Sequence, residues 1–147
     1  MKLLTRDTDY AVRALLFIAR QNRKIVSVRE LVRELRIPKP FLRKILQILN
    51  QKKLLHSFKG QGGGFRLARP AERILLTDLI SIFQGKVRFN ECMFKKSICP
   101  EIKICALKKR LDEIERYVVK KLSSITIGLL LKEERASYGK KKDYKNR

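Results

Sequence analysis

Three cysteines within fourteen residues are the most chemically reactive feature of this 147-residue sequence. Cys92, Cys99 and Cys105 follow the spacing C-x6-C-x5-C and are the only cysteines of the chain. Thiolate is the soft ligand that zinc and iron–sulfur clusters select. Lysines lie between these thiols, and nearby positive charge favours the thiolate form. An odd number of cysteines cannot all pair within one chain. The segment therefore predicts a metal or cluster site, with three unligated thiols as the alternative.

The composition bounds where such a site would work. No apolar run reaches the roughly 18 residues of a membrane span, and the charged opening does not resemble a signal peptide. We therefore expect about one domain, located in the cytoplasm and without a membrane partner. Clustered cysteines in that reducing compartment bind metal or do redox work more often than they form structural disulfides.

The net charge of +22 makes a polyanion the leading partner. Residues 1–70 hold 17 Lys and Arg against four Asp and Glu, whereas residues 71–131 hold 12 against seven. The first half of the chain is thus where a nucleic acid would bind. A membrane surface fits less well, because no segment joins a basic face to exposed Trp or Phe. Charge alone also leaves a structural RNA-binding protein as an alternative.

Apolar periodicity in the first half predicts a helix-turn-helix. A first helix is expected over residues 9–20, capped by Thr8 or Asp9. Ser27 and Glu30 form a capping box that begins a second, short helix. Two prolines then separate this helix from a third. Two short helices, a tight turn and a third helix with a basic face are typical of DNA-binding helix-turn-helix domains.

The third helix, predicted over about residues 40–52, carries the candidate base-reading side chains. One face is apolar, and the other bears basic and amide side chains without an acid. Arg and Lys can bond guanine edges or phosphates, and Gln can pair with adenine. An ordinary solvated face is the alternative. The candidate DNA contacts here are Lys39, Arg43, Lys44 and Gln47, together with Ser27 at the start of the preceding helix.

A glycine-rich loop between two short apolar segments predicts a β-hairpin over residues 54–67. Its three successive glycines permit positive φ and close approach to another surface. Such a hairpin suits a wing that rests on DNA. The Gly-Lys-Ser/Thr ending of a nucleotide-binding P-loop is missing. His56 is expected to be a strand residue and not a ligand. The candidate wing contacts are Lys59, Gly60, Gly62, Gly63 and Arg66.

The second half is predicted to be dominated by one long helix. Thr77 is expected to cap a helix that ends near Gln84. Apolar residues recur every three or four positions over residues 106–123, a pattern typical of a dimer seam, with packing inside one subunit as the alternative. A short apolar element follows at 126–131. The charged residues 132–147 are expected to form a disordered tail.

These elements predict a mainly α fold with a small β-hairpin: a winged helix-turn-helix DNA-binding domain followed by a long dimerisation helix. The expected divisions are a DNA-binding domain over 1–85, a cysteine loop over 86–105, a dimerisation helix with its packing element over 106–131, and a basic tail over 132–147. A single histidine and the lack of a nucleophile–base pair visible in the sequence argue against an enzyme.

The chain resembles the Rrf-two (Rrf2) family of bacterial winged-helix transcriptional regulators over roughly residues 1–131. The resemblance rests on residues 8–15 (TDYAVRAL), residues 41–46 (FLRKIL), the glycine wing over residues 59–65, and three cysteines before a long helix. It implies a homodimeric transcription factor, usually a repressor, that binds a double-stranded DNA operator. It also implies an iron–sulfur cluster, 2Fe–2S or 4Fe–4S, held by the three cysteines as in IscR-type and NsrR-type members. CymR-type members of the family lack a cluster.

Two departures from the family pattern bear on the ligand set. The first cysteine interval is six residues where the family typically has five, and Lys108 stands where IscR-type proteins have a histidine. The resemblance to NsrR-type proteins makes Asp9 of the partner subunit the expected fourth ligand, with Asp7, Glu91 and Glu101 as other carboxylates. A cluster-free regulator with a thiol switch remains the alternative. A zinc-stabilised protein is disfavoured by the absence of any C-x2-C pair.

Overall fold

The computed structural model describes residues 3–22, 24–87 and 104–145, and for residues 138–145 the backbone alone. Cys92 and Cys99 lie outside the described residues, as do Glu91 and Glu101. The elements in chain order are α1 (Arg6–Arg20), α2 (Val28–Leu35), α3 (Lys39–Gln51), β1 (Leu55–Phe58), β2 (Gly64–Leu67), a 3-10 turn (Ala71–Arg73), α4 (Leu76–Gln84), α5 (Ala106–Ser123) and α6 (Ile127–Lys145).

The first three helices pack around one apolar core, as the predicted helix-turn-helix requires. Leu15 of α1, Leu31 of α2 and Leu42 of α3 are fully buried in a single cluster. Each helix contributes one apolar stripe, because residues three or four apart lie on the same face. Full burial of one such side chain contributes about 1.5–3 kcal/mol. This core fixes the orientation of α3, and with it the direction of the opposite, polar face.

Hydroxyl caps set the starts of α1 and α2, and the prediction for α1 is wrong. The Ser27 hydroxyl accepts the Glu30 N–H at 3.1 Å, which confirms the predicted cap of α2. Helix α1, in contrast, begins at Arg6 with Thr5 as its N-cap, not Thr8 or Asp9. Thr8 lies inside the first turn and is completely buried.

The hairpin packs unusually closely against the segment that precedes α2. β1 and β2 are antiparallel, in a register that pairs Leu55 with Leu67. Phe65 and Val26 exchange two backbone hydrogen bonds of 2.8 and 2.9 Å. A Cβ at Gly64 would collide with the backbone of Val26, so only glycine allows this approach. The wing is therefore fixed to the helix-turn-helix through its base.

A backbone bridge, and not a side chain, sets the start of α4. Thr77 was the expected cap, but the N-cap position is Leu75 and no side chain caps the helix. Leu75 forms a β-bridge with Thr126. The Leu76 N–H donates to the carbonyl of Ile125, and the Ile127 N–H donates to that of Ile74, both at 2.9 Å. The cap prediction failed because these partners are distant in sequence.

The last two helices agree with the sequence only in part. α5 has the predicted bounds, but α6 continues to Lys145, so the expectation of a disordered tail is wrong for residues 132–145. Ile127 anchors the start of α6 because it is fully buried in the main core. An Arg20–Glu134 ion pair joins α6 to α1 further along. Among the residues described, no helix is long and apolar enough to cross a membrane.

We predict that Gly64→Ala destabilises the protein by about 1–3 kcal/mol, because the new methyl group forces the wing away from Val26. The measurement is the free energy of unfolding from urea titration. The matched control is Gly60→Asn, since Gly60 has a φ of +88° and open space around it, and asparagine tolerates positive φ. Equal losses in both variants would contradict the close-approach argument.

Candidate nucleic-acid interface and cysteine site

An open groove of about 670 Å³ lies between the start of α2, one face of α3 and the hairpin. None of its lining residues is acidic. The glycines of the wing form one wall, where their lack of side chains leaves the backbone accessible. Such a groove presents cations beside exposed backbone, and cations are the main donors to phosphate. The basic side chains that line it are Arg29, Lys39, Arg43 and Lys59, and its glycines are Gly60, Gly62, Gly63 and Gly64.

Helix α3 contributes the groove's central cations. Lys39 and Arg43 are one turn apart, so both point toward the hairpin. Both are exposed, while the apolar stripe on the other side of the helix is buried. Gln47 is also exposed, one turn further along, but does not line the groove. Of the four predicted α3 contacts, the structure therefore places Lys39 and Arg43 beside the wing.

Lys44, another predicted contact, lies outside the groove and faces α1. Its ammonium pairs with the Asp7 carboxylate at 3.7 Å, and both side chains are more than a third exposed. An ion pair this exposed contributes at most about 1 kcal/mol. Asp7 therefore binds Lys44 only weakly.

The strand register places Arg66 on the side of the hairpin opposite the groove. Successive strand residues point to opposite faces. Ser57 and its partner Phe65 line the groove, whereas His56 and its partner Arg66 line a second cavity of about 600 Å³. The Arg66 guanidinium lies 5.1 Å from the centre of the Phe58 ring. Arg66 thus packs against Phe58 of the wing. His56 lies in β1, as predicted.

Arg29 is a groove residue that the sequence analysis missed. It is the second residue of α2, two positions after the Ser27 cap, and its side chain is exposed. The capping box already fixed the start of this helix, and hence the side from which its first turn projects. That signal was present in the sequence.

Cys105 is the one cysteine among the described residues, and it stands at the start of α5. It is the N-cap residue, half-buried and free, and its Sγ accepts the Lys108 N–H at 3.4 Å. Hydrogen bonds from backbone N–H groups to cysteine sulfur are among those that tune iron–sulfur centres. The environment of Cys105 therefore fits a thiolate ligand. Within the described ranges, no three His, Cys, Asp or Glu side chains gather as a metal site.

Asp9, the predicted fourth ligand, lies at the surface in the first turn of α1. Its carboxylate pairs with Arg13 at 3.0 Å, and the side chains are 46% and 56% exposed respectively. Its backbone N–H donates to the Thr5 carbonyl. A carboxylate this accessible can exchange its arginine partner for another group at little cost.

Helix α5 presents an apolar face that no described residue covers. Its inner side contacts α4, where Leu122 and Ile80 are buried. Its flank leaves Leu107, Ile114 and Tyr117 between 54% and 68% exposed. Exposed apolar side chains aligned along one helix face make this face of α5 a candidate interaction surface.

Comparisons with known proteins place these features in context. The Rrf2 family model, described as iron-dependent transcriptional regulator, matches residues 4–133. Protein aau3 of Rhizobium meliloti (strain 1021) is 34% identical over 130 residues, covering 88% of this chain and 84% of that protein. The HTH-type transcriptional regulator NsrR of Oceanobacillus iheyensis is 29% identical over 133 residues, covering 89% and 90%. The structure of CymR, the global cysteine regulator of B. subtilis, matches with a TM-score of 0.77 at 19% identity, covering 90% and 98%. This similarity confirms the predicted winged-helix fold.

We predict that Lys59→Ala weakens binding to duplexes of every sequence and reduces the salt dependence of the affinity by about one counterion, because Lys59 lies in the groove. The measurement is fluorescence anisotropy over a series of salt concentrations. Arg66→Ala is the control: it removes the same charge from the opposite face of the same hairpin and should leave the salt slope closer to that of the parent. A larger loss of slope in Arg66→Ala would reverse the assignment of the two faces.

Proposed function

Because the chain belongs to the Rrf2 family of transcriptional regulators, we propose that it binds a double-stranded DNA operator as a homodimer and represses transcription there. The family also confirms the expectation that the chain is not an enzyme. The observation that carries the proposal is the groove: four basic side chains and no acid, between a helix-turn-helix and a glycine wing. A DNA target implies a cytoplasmic location.

In the proposed complex, α3 enters the major groove and the wing contacts the neighbouring backbone. The major groove is about 12 Å wide and admits one helix. Arg43 is the side chain we assign to a base edge, because it is exposed on α3 and lines the groove. Lys39, Lys59 and Arg29 are assigned to phosphates. The wing glycines Gly60, Gly62 and Gly63 let the backbone of the loop approach the DNA closely. Gln47 and Lys44 extend the contact along α3.

The exposed face of α5 supports the homodimer. A second copy would cover Leu107, Ile114 and Tyr117 with the same residues of its own α5, as a two-fold interface requires. The two α3 helices would then meet half-sites about one helical turn, roughly 34 Å, apart. A rotation between the subunits would change that spacing and hence the affinity for the operator.

We further propose that Cys92, Cys99 and Cys105 hold an iron–sulfur cluster, 2Fe–2S or 4Fe–4S. When bound, the group supplies a centre that oxygen, nitric oxide or iron supply can alter. Support comes from the three-thiol donor set and from the backbone N–H that points at the Cys105 sulfur. Asp9 of the partner subunit is the proposed fourth ligand. A carboxylate is a hard, weakly held ligand to iron, and a labile site suits a sensor.

A cluster-free regulator is the second candidate. It is favoured by the fold similarity to CymR, which is described as a global cysteine regulator, and by the half-buried, free thiol of Cys105. In that case oxidation of the thiols themselves would be the signal. A structural RNA-binding protein is a third candidate and rests only on the net charge of +22.

Selection of a preferred duplex from a random pool tests the proposed function. Arg43→Ala should then cost about 1–3 kcal/mol on the selected duplex and relax the preference at one base position, because a base contact is lost. The control is Lys52→Ala, an exposed cation that follows α3 and does not line the groove. If the pool yields no preferred sequence, and duplex RNA binds as tightly as DNA, the RNA-binding candidate takes precedence.

We predict that anaerobically purified protein is brown and contains iron and sulfide, and that Cys→Ala at any of the three cysteines removes the visible absorption. Asp9→Ala should leave a cluster that oxygen bleaches faster, because its weakest ligand is lost. Asp7→Ala, in the same helical turn, is the milder control. Colourless parent protein whose operator affinity nevertheless responds to oxidant would support the thiol-switch candidate instead.

We predict that Ile114→Glu yields a soluble monomer, because the carboxylate would be buried without a partner in the dimer but faces solvent in a single chain. The measurement is sedimentation velocity at micromolar protein. Lys120→Glu adds the same group to the exposed polar side of α5 and should remain dimeric. A parent that sediments as a monomer would refute the pairing through α5.

A further inference from the structure

We infer that the side chain of Gln84 links the cysteine segment to the DNA-reading helix α3 through the first turn of α1. Gln84 would then be a positioning residue for the response of DNA binding to the state of the cysteines. The inference rests on the function proposed above. Through this path a change in residues 86–105 would reach α3.

Gln84 holds the start of the chain with three hydrogen bonds. Its amide oxygen accepts the backbone N–H of Thr5 and the hydroxyl of Thr8, both at 2.9 Å. Its amide nitrogen donates to the carbonyl of Leu3 at 3.0 Å. Both lone pairs of the oxygen are thus used, and a single side chain fixes the cap and the first turn of α1. These contacts span about eighty residues of sequence.

The junction is partly shielded from water, which makes its hydrogen bonds costly to lose. Thr8 is completely buried, the one buried polar residue among those described. Its hydroxyl also contacts the Thr5 hydroxyl at 3.0 Å. Removal of the Gln84 amide would leave the Thr5 N–H without its acceptor and the Thr8 hydroxyl with the Thr5 hydroxyl as its remaining partner. The first turn of α1 therefore depends on where Gln84 lies.

Gln84 is placed between the two parts of the proposed regulator. It is the last residue of α4; Gly85 ends the helix with a φ of +81°, and the segment that carries the cysteines follows. On the other side, Asp7 lies in the same turn as Thr8 and pairs with Lys44 of α3. Two contacts therefore separate the start of the cysteine segment from the DNA-reading helix.

A shift of Gln84 has a defined chemical result at α3. Loss of its hydrogen bonds loosens the first turn of α1, and Asp7 moves away from Lys44. Lys44 is then free to bind a DNA phosphate in place of the carboxylate. The exchange is easy, because the Asp7–Lys44 pair is exposed and weak. The state of the cysteine segment would thus set how many α3 cations are available to DNA.

The test compares the parent with Gln84→Leu, which keeps the volume and removes all three hydrogen bonds. Each protein is studied before and after hydrogen peroxide, which destroys an iron–sulfur cluster and oxidises free thiols alike. The first readout is hydrogen exchange of the backbone amides of Thr8 and Asp9. In the parent, peroxide should accelerate this exchange. In Gln84→Leu the exchange should be fast under both conditions.

The second readout is the ratio of operator affinities before and after peroxide. Coupling between sites typically changes an affinity about 5- to 150-fold, so we expect a ratio in that range for the parent and below about twofold for Gln84→Leu. The ratio of affinities should also be small for Lys44→Ala, because the ammonium that would bind a DNA phosphate is gone. A merely structural role for Gln84 would lower the affinity in both states and leave the ratio unchanged.

Two control variants keep the test decisive. Gln84→Glu retains the acceptor oxygens for Thr5 and Thr8 and should keep most of the parental response. Ser81→Ala, an exposed position on α4, should behave as the parent. The inference is overturned if Gln84→Leu keeps the parental ratio, or if peroxide leaves first-turn exchange of the parent unchanged. Failure of every variant and of the parent to bind duplex DNA would instead refute the proposed function, and the exchange data would still decide the Gln84 link.

Discussion

Burial of α1 on almost every side is the constraint on which the rest of the structure depends. This helix contacts α2, α3, α4, α6 and β2. Ala11 and Ala14 are completely buried, and their small side chains let the neighbouring elements approach its backbone closely. Helix α3 and the helices of the second half are therefore positioned relative to the same helix, α1. A displacement at one end of α1 therefore shifts packed elements in both halves of the chain, since close-packed interiors transmit strain instead of absorbing it.

The distribution of acids explains how a chain with a net charge of +22 keeps a usable binding groove. Asp7, Asp9 and Glu134 pair with basic residues of α1, or across to α3, and all three lie outside the groove. Among the described residues, no ion pair involves a groove cation. Acids near the groove would neutralise the cations that we propose bind phosphate. The few carboxylates thus relieve self-repulsion elsewhere on the surface.

Sequence reasoning worked where the structure is decided locally. The stripes of α2 and α3, the capping box, the glycine hairpin and the bounds of α5 all follow from spacings within about one helical turn or one strand pair. It failed where a distant partner decides. Thr5, the N-cap of α1, donates its backbone N–H to Gln84, and the bridge to Thr126 replaces a cap at Thr77. Arg66, a candidate wing contact, lies on the face of the hairpin opposite the groove. Its face depends on the pairing register of the two strands, which the sequence alone does not specify.

The bridge between Leu75 and Thr126 has a consequence for the length of the cysteine segment. It closes a loop that runs from residue 76 to residue 125 and contains α4, the cysteines and α5. The entropy lost on closing a loop grows only with the logarithm of its length, so one extra residue costs well under about 0.1 kcal/mol. The six-residue spacing after Cys92 is therefore thermodynamically almost neutral. A change in the length of this stretch leaves its ends joined, because backbone hydrogen bonds and not side-chain contacts hold them.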